Sequence, residues 1–142
     1  MTSAGKKRTI RGNKDVSDII MSIKPRFAEM ILQGTKKFEL RKNKPRKKVD
    51  TVFIYSTSPI KKIVGKFRVA QIIGGTPDEV WEKCKDIGGI EKGAFFSYFK
   101  GCKMAYAFEI KEVERFDPPI NPFNNPEFKA PQNFAYWRAD IR

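Results

Sequence analysis

The spacing of apolar residues changes several times along this chain, and each change marks an element. Ile19, Ile20, Met21, Ser22 and Ile23 form a short apolar run suited to a buried strand, with order beginning near Val16. Lys24-Pro25 ends it. Pro25 suits the first turn of a helix of about ten residues on which Phe27, Met30 and Ile31 share a face and after which Gly34 supplies a left-handed stop. From Lys36 to Arg41 the pattern alternates strictly, so Phe38 and Leu40 should pack inward while Lys37, Glu39 and Arg41 present charge on the other face. The loop 42–48 that follows contains a proline and five basic residues, too much charge to bury. Val52, Phe53, Ile54 and Tyr55 predict a further strand, closed by Ser56-Thr57-Ser58-Pro59. Residues 62–73 predict a long strand in which Gly65 marks a bulge or sharp bend.

Thr76-Pro77-Asp78-Glu79 is a capping box with proline at the first helical position, opening a helix that carries Val80, Trp81 and Cys84 and stops by Gly88-Gly89. A second short helix has Phe95, Phe96 and Phe99 as its apolar side and Gly101 as its end. From Met104 the alternation resumes, with Met104, Tyr106, Phe108 and Ile110 on one face; it slips phase at Val113, as a bulged strand would, and Asp117-Pro118-Pro119 should terminate it. A stretch rich in Pro, Asn and aromatics then leads to a short terminal element around Tyr136 and Trp137. Helices that interrupt a set of bent strands, instead of alternating regularly with them, argue for an α+β fold: a small, partly open β-barrel decorated by helices.

A chain of 142 residues has room for one domain, taken here as residues 15–142, preceded by an acid-free arm over 1–14 with no hydrophobic period. With 40% apolar and 13% aromatic residues the domain can bury a core. Histidine is absent, which excludes Ser-His-Asp and Cys-His nucleophiles and imidazole-based zinc sites. Cys84 and Cys102 lack CxxC spacing and read as ordinary thiols in a reducing compartment. No metal and no cofactor are expected. No run approaches the length of a membrane span and the N-terminus lacks the apolar core of a secretory signal, so the expected setting is cytoplasmic, with no membrane partner.

Charge sharpens the picture. The net charge is +13, and residues 1–68 hold 19 of the 29 lysines and arginines but only 5 of the 16 acidic residues. Crowding of one sign costs self-repulsion and attracts phosphates, which points to a polyanion partner, nucleic acid by default and RNA before DNA. The excess sits in the arm, in residues 36–48, and in Lys61, Lys62, Lys66 and Arg68.

Gly34-Thr35-Lys36-Lys37-Phe38-Glu39-Leu40-Arg41 resembles the GxKxxExR motif of the ASCH family of the PUA-like superfamily, preceded as in that family by a strand and a short helix. The segments YSTSP-IKKIVGKF, FFSYFKG…AYAFEI and PPI…PQNF look like further blocks of its branch of predicted regulators, so the resemblance covers about residues 17–137. It implies a PUA-like barrel of five to six mixed strands with two to three short helices, and a cleft that Lys36, Glu39 and Arg41 face. Glu39 and Arg41, two residues apart on one strand face, would equally pair with each other.

Three functions fit. In the first, a monomeric regulatory module binds RNA or single-stranded nucleic acid: Lys42, Lys44, Arg46, Lys47, Lys48, Lys61 and Lys62 meet phosphates, Lys36, Glu39 and Arg41 read a base or an end, and Tyr55 stacks on a base or belongs to the core. In the second, implied by ASCH-like ribonucleases and amidohydrolases, Lys36 and Glu39 act as base and acid; the amidohydrolase branch carries a threonine where this chain has Glu39, so its hydroxyl is missing here. In the third, Phe123, Phe128, Phe134, Tyr136 and Trp137 anchor a protein partner, or else close the open end of the barrel.

Overall fold

A computed structural model describes residues 16–86 and 90–138. The 1–14 arm and the Gly88-Gly89 helix stop lie outside the described residues. The elements run β1 (Val16–Ile23), α1 (Pro25–Leu32), β2 (Phe38–Arg41), β3 (Lys48–Ser56), β4 (Lys62–Gly75), α2 (Pro77–Cys84), α3 (Lys92–Tyr98), β5 (Ala105–Ile120), a 3-10 turn (Pro122–Asn124) and β6 (Phe134–Tyr136). One mixed sheet has the order β2-β5-β4-β3-β1-β6. Among the described residues β1 and β3 alone pair in parallel, joined by a crossover that contains α1 and β2, and the other pairs are antiparallel. The sheet curls into a half-barrel with three helices, an α+β architecture.

Local chemistry explains most of the boundaries. Pro25 opens α1, and Gly34 at φ +84° reverses the chain after it. Thr76 and Glu79 form the reciprocal capping box of α2. Gly65 sits where the β3–β4 and β4–β5 registers both shift, and a Cβ there would fall 2.4 Å from the Glu114 carbonyl and 2.7 Å from Leu32 Cδ2. Glu112, at φ +49°, lies where β5 holds one residue more than β4, which accounts for the phase slip near Val113.

Asp117-Pro118-Pro119 does not terminate β5. Ile63 still pairs with Ile120 while Gly65 pairs with Arg115, so residues 116–119 form a wide bulge inside the strand. Prolines lack the N–H a ladder needs and are accommodated where the ladder is already interrupted. β3 also starts earlier than its apolar run suggested: Lys48, assigned above to the basic loop, is its first residue, opposite Val16.

The two faces of the sheet are both covered. Ile19, Met21, Ile23, Val52, Ile54, Phe67 and Phe108 fill the concave side with Ala28 and Ile31 of α1. On the convex side α2 and α3 pack Val80, Cys84, Phe95 and Phe99 against Phe38, Ala105 and Ala107, the two alanines allowing close approach. The C-terminal segment covers the rest of that side, with Phe128 and Trp137 packed on Ile20, Phe53, Tyr55 and Ile63. Phe128 and Trp137 therefore belong to the closing wall of the barrel, whereas Phe123 and Tyr136 remain 46% and 48% exposed.

Candidate nucleic-acid interface

β2 is an edge strand whose Phe38 and Leu40 face is packed, as expected, with Phe38 fully buried, but whose opposite face is covered as well, so that Glu39 and Arg41 are not on the surface. Phe38 and Leu40 pack outward under α2 and α3, so Glu39 and Arg41 turn toward the concave side, where Glu39 is paired opposite Phe108. The charged face is enclosed: the side chains of Lys36, Glu39 and Arg41 are 14%, 7% and 13% exposed. The physical reason is that the sheet curls over this face while the helices cover the other, which alternation alone cannot reveal.

The three charges form a chain. Backbone hydrogen bonds from Gly34 to Ile31 and from Thr35 and Lys36 to Met30 close α1 and deliver Lys36 to the start of β2. Lys36 Nζ donates to the Phe38 carbonyl at 2.7 Å, stands 3.5 Å from Glu39 Oε1 and lies 5.4 Å from the centre of the Phe27 ring. Arg41 Nη2 donates to Glu39 Oε2 at 2.5 Å and to the Ser22 carbonyl at 3.1 Å, and Nη1 donates to Asn133 Oδ1 at 2.9 Å. Among the described residues Glu39 Oε1 and Arg41 Nε, both buried, have no hydrogen-bond partner. Buried polar atoms normally find one; Glu39 Oε1 is instead held by the Lys36 ammonium as an ion pair at 3.5 Å.

Arg41 also joins the two edges of the sheet. Ser22 lies on β1 and Asn133 immediately precedes β6, so the guanidinium on β2 spans a seam that no strand pairing closes among the described residues. The 42–47 loop runs along that seam. Asn133 Nδ2 donates to Asn43 Oδ1 at 2.7 Å, and the Lys47 N–H donates to Tyr136 Oη at 3.2 Å. Lys42 Nζ sits 4.9 Å from the centre of the Tyr98 ring, and Lys47 Nζ 5.3 Å from that of Tyr136. Tyr98 Oη donates to the Leu40 carbonyl at 3.4 Å. Burial pushes the Tyr98 hydroxyl above its usual pKa, with Arg41 pulling it down and Glu39 pushing it up.

The predicted basic residues do not form one patch. Lys42, Lys44, Arg46 and Lys47 are exposed on the seam loop. Lys48 instead lines a groove of about 620 Å³ with Asp18, Asp50, Arg68 and Lys111, in which Arg68 is bound to Asp50 at 2.7 Å and Glu112 at 3.5 Å. Lys62 pairs with Ser56 at the other end of β3, next to Lys61, about 26 Å from Lys48 at the usual rise of a strand. Tyr55 is 4% exposed, with its ring against Phe123 and Phe128; of the two readings given to it, the structure shows the core one, and burial raises its hydroxyl pKa. Ser22, Asn43, Tyr98 and Asn133 were not singled out from the sequence. Asn133 lies in the PQNF block of the family resemblance, but nothing in local periodicity marks Tyr98, because its place at the site depends on how α3 packs beside β2.

Among the described residues no group of three His, Cys, Asp or Glu side chains comes together that could hold a metal ion, and no helix is long and apolar enough to cross a membrane.

The ASCH domain family model matches residues 21–120, which take in most of the half-barrel and the GxKxxExR strand. The chain belongs to the ASCH domain family. It is 25% identical over 134 residues to an ASCH domain-containing ribonuclease of Zymomonas mobilis, covering 89% of this chain and 88% of that protein. It is also 29% identical over 119 residues to a protein of Ureaplasma parvum described as large ribosomal subunit protein uL22, covering 83% of this chain but only 38% of that relative. The crystal structure of ASCH from Zymomonas mobilis superposes with a TM-score of 0.78 at 24% identity, over 88% of this chain and 90% of that one. A mutant of the same protein gives 0.79 at 23% identity, over 88% and 93%.

Proposed function

We propose that this protein binds single-stranded RNA along the seam between β2 and β6, as a cytoplasmic monomer with a regulatory role. The observation that carries the reading is the Lys36–Glu39–Arg41 charge chain at the seam, bordered by the exposed cations Lys42, Lys44, Arg46 and Lys47. Arg41 supplies a planar donor fork and Glu39 an acceptor beside it, the complement of one base edge or of a strand terminus. The loop cations contact phosphates, which set position without reading sequence. Two unpaired thiols, Cys84 and Cys102, suit a reducing compartment. The similarity to a ribonuclease supports RNA over DNA as the polymer.

The test is a competition titration of the full chain, and of a chain starting at Asp15, with single-stranded RNA, duplex RNA and duplex DNA. Preference for single-stranded RNA should survive removal of the arm. If about five phosphates are neutralised, log K should fall against log salt with a slope of about −3.5. A preference that disappears with the arm, or a slope near zero, removes the reading.

The same relative favours a second reading, RNA cleavage. Lys36 Nζ and Glu39 Oε1 form an ion pair 3.5 Å apart, so in this reading the Glu39 carboxylate takes a proton as base and the Lys36 ammonium supplies one as acid. Labelled RNA incubated in chelator with the wild-type protein, Lys36→Ala and Glu39→Gln separates the two. Products that vanish with Lys36→Ala establish cleavage; RNA that is bound and stays intact leaves binding alone.

A further inference from the structure

We propose that Tyr98 and Tyr136 are two base-stacking platforms, one at each end of the 42–47 loop, so that the bound strand must be unpaired. This deepens the RNA-binding reading above and rests on it. Tyr98 is 42% exposed and Tyr136 48%, and each carries a lysine of the same loop over its ring, Lys42 at 4.9 Å and Lys47 at 5.3 Å. Both hydroxyls are tethered, Tyr98 Oη to the Leu40 carbonyl and Tyr136 Oη to the Lys47 N–H, so the rings are oriented before any ligand arrives. Little order is then lost on binding. A cation over an exposed ring is held more weakly than a stacked base, so the lysine yields the ring face and meets the adjoining phosphate.

The two rings stand on different elements, α3 and β6, and the loop joins them. Lys42 and Lys47 are five residues apart, at most about 17 Å of chain, so one short strand touches both rings while its phosphates pass Lys44 and Arg46. The bases of a duplex are already stacked on each other and present no free face. Selection of unpaired RNA follows from the rings; affinity for phosphate follows from the lysines.

The experiment uses the full chain, an unstructured RNA oligonucleotide with 2-aminopurine at successive positions, and a duplex of the same length. Wild-type protein should quench 2-aminopurine at two separated positions. Tyr98→Ala should abolish quenching at one of them and Tyr136→Ala at the other, each lowering affinity for the single strand about five- to hundredfold while leaving the salt slope and duplex binding unchanged. Tyr98→Phe and Tyr136→Phe should retain quenching. Phe123→Ala, equally exposed but packed on Tyr55 and Phe128, should retain affinity. Quenching on the wild-type protein needs no variant to fold. Absence of any binding by wild type overturns the RNA reading itself. Binding without quenching, or equal losses on single strand and duplex in the tyrosine variants, overturns the platforms and leaves RNA binding standing.

Discussion

Replacing Arg41 by alanine should open the half-barrel at its seam. The guanidinium makes three hydrogen bonds, to Glu39 on its own strand, to Ser22 on β1 and to Asn133 before β6. Hydrogen bonds involving a charged group contribute about 1.5–3 kcal/mol net, and breaking a fully buried ion pair costs about 3–5 kcal/mol because the remaining charge is stranded. Here Lys36 still faces Glu39, and 13% exposure of Arg41 lets water replace part of what is lost, so the three contacts cannot be summed. A destabilisation of about 3 kcal/mol follows, equivalent to a fall of roughly 10 °C in Tm for a domain of this size. Arg41→Lys keeps the charge but not the planar fork that reaches three acceptors, and should lose about half as much. Thermal and urea unfolding give the magnitudes. Native-state hydrogen exchange gives the location: amides of β6 and of its β1 partners should lose protection in Arg41→Ala while the β4–β5 ladder keeps it. A loss below about 1 kcal/mol, or exchange that accelerates evenly over the sheet, would show that the seam is held elsewhere and that Arg41 behaves as a surface ion pair.

Three other outcomes are expected. Gly65→Ala forces a Cβ against the Glu114 backbone at 2.4 Å and should destabilise by about 3 kcal/mol, whereas Gly34→Ala, with open space but φ +84°, should cost only about 1–2 kcal/mol; equal Tm values for the two would refute the close approach. Asp18 has its pKa raised above 3.8, first by burial and then by Asp50, so the folded state holds this proton more tightly than the unfolded one and ionisation costs stability. Asp18→Asn should therefore raise Tm at pH 7, with the gain vanishing as the pH falls to about 3.8, and a gain independent of pH would contradict it. Burial lifts the Cys84 thiol to about 11, so mass spectrometry after alkylation at pH 8 should find Cys102 modified long before Cys84, and comparable rates would place Cys84 outside the core.

The amino-acid sequence by itself determined what depends on neighbours a few residues away. Pro25 and Gly34 bracket α1, Thr76 and Glu79 cap α2, and Gly65 bends β4, because each acts through its own backbone or within one turn. The GxKxxExR octapeptide pointed to the family and to Lys36, Glu39 and Arg41 for the same reason: its residues are adjacent in the chain. What lies on the far side of each strand was decided only by tertiary structure. Alternation over residues 36–41 separates two faces and marks Phe38 and Leu40 as the packed one, which α2 and α3 cover, but it does not say that the charged face is covered too, because that depends on how the sheet curls. Prolines 118 and 119 looked like an end because a missing N–H stops a regular ladder; long-range pairing of Ile63 with Ile120 places them in a bulge instead. The seam is the extreme case. Arg41 meets Asn133 across 92 residues, and Lys42 and Lys47 meet tyrosines 56 and 89 residues away, contacts set by how the sheet curls and not by any local period.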